Sequence, residues 1–290
     1  MKPLEILEPA SLEEACEQLS EGSEGVKVVG GGIAISILMK QRIFQPTRLV
    51  SIRRIAGFDA VRHDAKKGLI IGAGALHRTL ETSSVVQEHC PLLAEVMSQV
   101  ANVRIRCMGT LGGELAHADP HSDPPPVLIG LGAKAVARST RGEREIPFTD
   151  FFTGYLESAL EPDEILKEVI IPDPPPGVRS AYLKFTPNSS TDWPCLGVTA
   201  FVGRDPDGTC RSLDLIFGSV TEVPFRVPGV SEMASGQPLG DPLIHEIAEH
   251  CFRQVDPMAD SRGSSWYKKE LVRAFARRIL NRAVSGNGTP

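Results

Sequence analysis

Val26-Lys27-Val28-Val29-Gly30-Gly31-Gly32-Ile33-Ala34-Ile35-Ser36-Ile37-Leu38-Met39-Lys40 sets a short valine-rich run, three glycines and an apolar helical pattern in direct succession. Val26 to Val29 reads as a short buried strand, and the residues from about Ile33 to Arg42 read as a helix. Pro46 then breaks the chain, and Leu49 to Ile52 reads as another strand. The unit is strand–loop–helix–strand, with its glycines at the strand-to-helix turn. Glycine lacks Cβ, so a loop of glycines can approach another group closely and adopt positive φ. The helix start adds unpaired N–H donors and the positive end of the helix dipole.

A second cluster, Gly109-Thr110-Leu111-Gly112-Gly113-Glu114, lies about eighty residues further on. Either cluster alone can be a tight turn, since short glycine motifs match by chance. Together they suggest two backbone loops closing on one pyrophosphate. In that reading Gly112 and Gly113 offer a second set of N–H donors, and the Thr110 hydroxyl adds a side-chain donor. A standard nicotinamide-dinucleotide domain is rejected. Counting from Gly30, the sixth position of G-x-G-x-x-G is Ile35, and Ser51-Ile52-Arg53-Arg54 has no ribose-binding carboxylate. Gly72-Ala73-Gly74-Ala75-Leu76-His77 also lacks the third glycine.

The 290 residues are 41% apolar, enough for a sizeable core and better suited to two domains than to one. A net charge of −5, with no basic stripe and no interleaved aromatics, argues against nucleic acid as a partner. Apolar runs such as Ile33 to Met39 are too short to span a membrane, and the start Met1-Lys2-Pro3-Leu4-Glu5 does not read as a secretory signal. A cytoplasmic location is expected. Cys16, Cys90, Cys107, Cys195, Cys210 and Cys251 contain no C-x-x-C clip for zinc or an iron–sulfur cluster and read as small buried hydrophobes.

Further signals set the organisation. Ser11-Leu12-Glu13-Glu14 is a capping box opening a helix through Leu19. Strands are expected at 69–71, 134–138 and 164–171, with helices near Leu76 to Gln87 and Pro91 to Val100. Pro172-Asp173-Pro174-Pro175-Pro176-Gly177 fits neither helix nor sheet interior and marks a domain boundary. Beyond it Ala181 to Phe185, Leu196 to Val202 and Arg211 to Gly218 read as three strands, with Asp205-Pro206-Asp207-Gly208 as a hairpin turn. Two helical stripes follow, one through Ile244, Ile247, Ala248, Cys251, Phe252 and Val255, the other through Leu271, Val272, Phe275, Ile279 and Leu280. The expected domains are 1–175, with subdomains of about 1–55 and 56–175, and 178–284. Residues 285–290 are expected to form a disordered tail.

Gly30-Gly31-Gly32-Ile33-Ala34 and Thr110-Leu111-Gly112-Gly113-Glu114 resemble the two FAD-gripping loops of the flavoprotein (medium) subunit of the molybdenum hydroxylases, the family of carbon monoxide dehydrogenase and xanthine dehydrogenase. Leu115-Ala116-His117-Ala118-Asp119-Pro120-His121-Ser122-Asp123 and Asp256-Pro257-Met258-Ala259-Asp260-Ser261-Arg262-Gly263-Ser264, with Tyr267, also look like the family. The resemblance covers nearly the whole chain and keeps motif order. It implies an α+β fold: an FAD-binding domain of two α+β subdomains of the PCMH type, then a smaller domain pairing a three-stranded antiparallel sheet with a helix bundle.

It also implies FAD contacts at Val29, Gly30, Gly31, Gly32, Ile33, Ala34, Thr110, Gly112, Gly113 and Glu114. By motif position Asp123 matches an acidic FAD contact, Leu166 an apolar residue beside the ring system, and Lys184 a lysine near the flavin. A carboxylate can accept from a ribose or ribityl hydroxyl, and a lysine can stabilise the anionic reduced ring. The chain departs from the family pattern in places. Glu114 replaces the usual asparagine, which weakens phosphate binding unless the carboxylate turns away or finds a cation. Ile33 and Ala34 replace a polar pair, so the first loop must bind through its backbone. Cys107-Met108 replaces a more polar pair before Gly109.

The implied activity is electron transfer within an oxidoreductase. Electrons arrive from a small subunit with two [2Fe–2S] clusters, a large molybdenum-cofactor subunit oxidises the substrate, and an external acceptor takes the electrons from FAD. No catalytic acid, base or metal ligand is assigned. In the run His117-x-Asp119-x-His121-x-Asp123 a flavin-contacting loop is preferred to a metal site, because Pro120 keeps the histidines off one helical face. Lys269, Arg273 and Arg277 read first as a solvated helix face, and as a docking face for an acidic subunit second. Trp193 reads as a neighbour of the flavin ring or as a core or interface residue. A stand-alone flavin oxidoreductase and a flavin-less assembly module remain open as alternatives.

Overall fold

The computed structural model describes residues 4–22 and 25–285, so residues 286–290 of the expected tail lie outside it. The chain begins with β1 (Glu5–Leu7), α1 (Leu12–Ser20), β2 (Val26–Val29), α2 (Ile33–Lys40) and β3 (Arg48–Ser51). These strands form a parallel sheet of order β1-β3-β2, in which Val29 aligns with Ser51. The Ser11 hydroxyl accepts from the Glu14 N–H, while the Glu14 carboxylate reaches past Ser11 to the Ala10 N–H. Helix α2 is apolar but buries none of its residues completely.

The next unit runs β4 (Val61–Asp64), β5 (Gly68–Gly72), α3 (His77–Thr82), α4 (Ser84–His89), α5 (Pro91–Gln99), α6 (Val103–Arg106), α7 (Leu111–His117), α8 (Pro124–Gly130), β6 (Lys134–Ser139), β7 (Gly142–Pro147), α9 (Phe148–Phe151), β8 (Phe152–Gly154), β9 (Glu157–Ser158) and β10 (Ile165–Ile171). Five of the strands make an antiparallel sheet of order β4-β5-β10-β6-β7. The single helix expected near Leu76 to Gln87 is two. Ser83 ends α3 in an extended conformation, and its hydroxyl caps α4 at the Val86 N–H.

The last unit comprises β11 (Val178–Phe185), β12 (Leu196–Arg204), β13 (Cys210–Gly218), β14 (Phe225–Arg226), α10 (Val230–Ala234), α11 (Asp241–Gln254) and α12 (Ser265–Val284). Its three long strands are antiparallel, and the two-residue β14 adds a short edge. Asp205 O accepts from Gly208 N–H at 2.9 Å, closing the β12–β13 turn. The apolar stripes of α11 and α12 pack with this sheet into one core, while the first two units share another. Leu92, Val96 and Val127 meet Tyr182 and Phe201 in a small third cluster, which joins the five-stranded-sheet unit to the C-terminal sheet.

Candidate functional site

The two glycine loops touch. A Cβ built on Gly31 would lie 2.0 Å from the Met108 carbonyl oxygen, and one on Gly30 would lie 2.7 Å from Thr110 Oγ1. Gly32, at φ +77°, turns the chain from β2 into α2 as the N-cap and brings no side-chain cap of its own. The backbone N–H groups of Gly30, Gly31 and Gly32 donate to no protein acceptor among the described residues. The first-turn amides of Ile33, Ala34 and Ile35 have no intrahelical partner by construction. Val29, at the end of β2, and Ile33 and Ala34, in the first turn, are half-buried.

The second loop is built differently, and one expectation about it needs correction. Leu111 N–H donates to Ala75 O, Gly112 N–H to Ala73 O, Gly113 N–H to Thr110 Oγ1, and Glu114 N–H to Thr110 O. Gly112 and Gly113 therefore offer no second set of donors. Gly112 is glycine for packing, since its Cβ would stand 2.4 Å from that of Ala73. Gly113 is exposed at the start of α7. Thr110 caps that helix as an acceptor and keeps its hydroxyl hydrogen to donate. The first loop supplies the donors, and the second is the floor against which it rests.

Glu114 faces a side chain that can carry positive charge. Its Oε2 lies 3.0 Å from His77 Nε2, with the two side chains 15% and 5% exposed. The contact is an ion pair without aligned hydrogen bonds, for neither His77 ring nitrogen nor Glu114 Oε2 meets a partner at a hydrogen-bonding angle. Burial opposes charge on His77, but the Glu114 carboxylate outweighs it and raises the imidazole above its ordinary 6.5. His77 N–H also donates to Gly109 O at 3.0 Å, and its ring lies against Gly109.

Asp123 and Lys184 come together as a buried pair. Lys184 Nζ donates to Asp123 Oδ2 at 2.8 Å and to Gln99 O at 2.9 Å, and the Tyr182 hydroxyl donates to Asp123 Oδ1 at 2.5 Å. Burial pushes Asp123 up to about 6, against the pull of Lys184 and Tyr182. Tyr182 was missed in the sequence. The available signal was its place two residues before Lys184 on β11, because alternate strand residues share a face. Beside Lys184 opens a cleft of about 430 Å³, lined by Gln99, Ala101, Asn102, Val103, Arg106, Thr186 and Thr191 among others. Ala101 stands there at φ +43°, its carbonyl bonded by Arg106 Nη1. Leu166 is buried in the main core on β10, where the register with β6 slips. A second cleft of about 350 Å³ is bordered by Ser11, Phe58 and Lys167, and neither cleft has a glycine-loop residue in its lining.

The histidine–aspartate run divides between two networks. His121 Nδ1 meets Asp119 at 2.9 Å and its Nε2 meets Asp260 at 2.7 Å, whereas Asp123 belongs to the Tyr182–Lys184 group. Asp260 also binds the fully buried Lys268, which donates to Ser219 O as well. Burial works to raise Asp260, but Lys268, His121 and the Arg262 N–H together hold it at about 2. Trp193 is 48% exposed, with the Arg262 guanidinium 5.6 Å from its ring centroid.

A three-glycine cradle of unpaired N–H groups, set at a helix start and braced by a second backbone loop in an α+β frame, is an arrangement suited to an anion such as a phosphate. Residues 2–174 match the family described as the FAD binding domain in molybdopterin dehydrogenase, and residues 181–283 match the CO dehydrogenase flavoprotein C-terminal domain. The chain belongs to this family of FAD-binding oxidoreductase subunits. Caffeine dehydrogenase subunit beta of Pseudomonas sp. (strain CBB1) is 31% identical over 98% of this chain and 96% of its own length. The carbon monoxide dehydrogenase medium chain of Hydrogenophaga pseudoflava is 30% identical over 95% of both. The solved carbon monoxide dehydrogenase from Hydrogenophaga pseudoflava that lacks the Mo-pyranopterin moiety superposes with a TM-score of 0.93 at 29% identity, covering 98% of each chain. No helix among the described residues is long and apolar enough to cross a membrane.

Proposed function

We propose that this chain is the FAD-binding electron-transfer subunit of a heteromeric molybdenum hydroxylase. It would take electrons from the iron–sulfur clusters of a small partner subunit, while a large molybdenum-cofactor subunit oxidises the substrate, and pass them to an external acceptor. The observation that carries the reading is the trio of unpaired N–H groups at Gly30, Gly31 and Gly32 above the Met108–Thr110 backbone. That cradle fits a diphosphate.

Bound FAD supplies a carrier that exchanges electrons singly or in pairs. The protein's part is binding and electrostatics. The Gly30–Ala34 backbone and the Thr110 hydroxyl hold the diphosphate, with Val29, Gly112 and Gly113 shaping the walls. His77 neutralises Glu114, so the acidic side chain does not repel the phosphates. Lys184, oriented by its bonds to Asp123 and Gln99 O, presents its side-chain nitrogen at the cleft beside it, where the ring system would lie. Leu166, buried in the main core on β10, is assigned to the apolar side of the site by the family resemblance alone. Nothing in this work needs a catalytic acid or base. The uncovered apolar face of α2, continued by Ile43 at 69% exposure, suits a subunit that works inside an assembly.

The test is purification of the full chain alone and with candidate partner subunits. The expected result is a yellow chain that retains FAD, does not turn over substrate alone, and becomes active with its iron–sulfur and molybdenum partners. Colourless protein that cannot be reconstituted with FAD overturns the reading. Substrate turnover by the lone chain replaces it with the stand-alone oxidoreductase.

A further inference from the structure

His63, His89 and Asp173 are brought together from three separate places. His63 lies in β4, His89 is the last residue of α4, and Asp173 follows β10 between Pro172 and Pro174. One nitrogen or oxygen from each lies within 4.8 Å of the other two. The imidazoles stack face to face, with centroids 3.7 Å apart and planes 4° from parallel. Asp173 places its two carboxylate oxygens 2.9 and 3.2 Å from His63 Nε2. Neither ring nitrogen of His89 makes a hydrogen bond among the described residues.

Two charged imidazoles in contact repel each other, whereas two neutral rings each offer an in-plane lone pair. A cation that accepts both lone pairs removes the conflict, and the carboxylate supplies negative charge and an oxygen ligand. We propose that His63, His89 and Asp173 form a binding site for a divalent late first-row metal ion of the zinc class. Two nitrogens and one oxygen, with water in the fourth position, suit that class better than calcium or magnesium, which prefer all-oxygen sets. The flanking prolines fix φ on both sides of Asp173, so this ligand is carried on a stiff segment. Both histidines are half-buried and Asp173 is exposed, and closing the set requires the rings to turn out of their parallel stack so that their in-plane lone pairs converge on one ion. The bound ion would tie the proline-rich segment between β10 and β11 to β4 and α4. The site lies outside the glycine loops and does not depend on the electron-transfer reading.

The test is calorimetric titration of zinc chloride into the untagged full-length chain, as purified and then stripped with a chelator. A C107S background removes the one exposed thiol. Saturable binding of one zinc per chain is expected, with a rise in Tm. H89F keeps a stacked ring but removes its lone pairs. It should weaken zinc binding by at least about tenfold and abolish the zinc-dependent rise, leaving the zinc-free Tm in place. D173N should weaken binding as well. Absence of saturable binding to the C107S chain, or equal affinity in H89F, overturns the proposal.

Discussion

Glu114 shows how a single side chain is resolved by its surroundings. Read alone, it is a carboxylate beside a phosphate loop. In the fold it faces the buried His77, which also braces Gly109. H77Q removes the countercharge and should lower stability by about 1–3 kcal/mol, the cost of a buried polar group left unmatched. It should also weaken FAD binding. E114N removes the need for a countercharge, so the double variant H77Q/E114N should recover much of the loss, as read by denaturant melts and FAD titration. The pH response has a definite sign. His77 is raised above 6.5 in the folded chain, so its contribution is complete below pH 6.5 and is lost as pH rises through the raised value. E114Q should remove that component from a plot of Tm against pH. Glycine spacing made the loops legible in the sequence. It did not reveal that Gly112 serves packing against Ala73, because a glycine looks the same whichever neighbour requires it.

Among elements, the decisive contact is loop against loop. Gly31 admits no Cβ, because the Met108 carbonyl occupies that place and both partners are backbone. G31A should cost about 1–3 kcal/mol as an overpacking change and should strip FAD from the purified chain. G113A meets only the Thr110 hydroxyl and should be milder. Equal flavin content in G31A and the parent would contradict the cradle. Periodicity located β2, α2, β3 and the stripes of α11 and α12, because burial of one face imposes a repeat that the residues must follow. It merged α3 and α4, because the Ser83 break is a matter of capping and leaves the apolar pattern intact. Arg273 lies within the row expected to be solvated on α12, yet it pairs with Glu249 of α11 and stacks 3.8 Å over Phe252. That engagement depends on which helix lies alongside.

Across the whole molecule, the His121–Asp260–Lys268 group links the loop after α7 to the start of α12. Asp260 is held at about 2 in the folded chain against an ordinary 3.8. Its stabilising contribution is therefore present above pH 3.8 and is lost as pH falls toward 2. D260N should lower Tm at neutral pH and flatten its decline across that acid window, as followed by circular dichroism. An unchanged acid profile would mean that other carboxylates control the transition. The motif around Asp260 was visible in the sequence, but its partner was not. His121 and Asp260 are 139 residues apart, and nothing local to either names the other.

The amino-acid sequence alone determined the class of elements, the order of the motifs and the presence of two glycine loops. These follow from local physics, namely the repeat of buried faces, the reach of caps, and the freedom of glycine. Only the tertiary structure decided which loop keeps its N–H groups unpaired and which supports it, that Glu114 faces His77, and that His63, His89 and Asp173 share one corner. Those outcomes depend on distances between residues far apart in the chain, and such distances exist only after the backbone has closed.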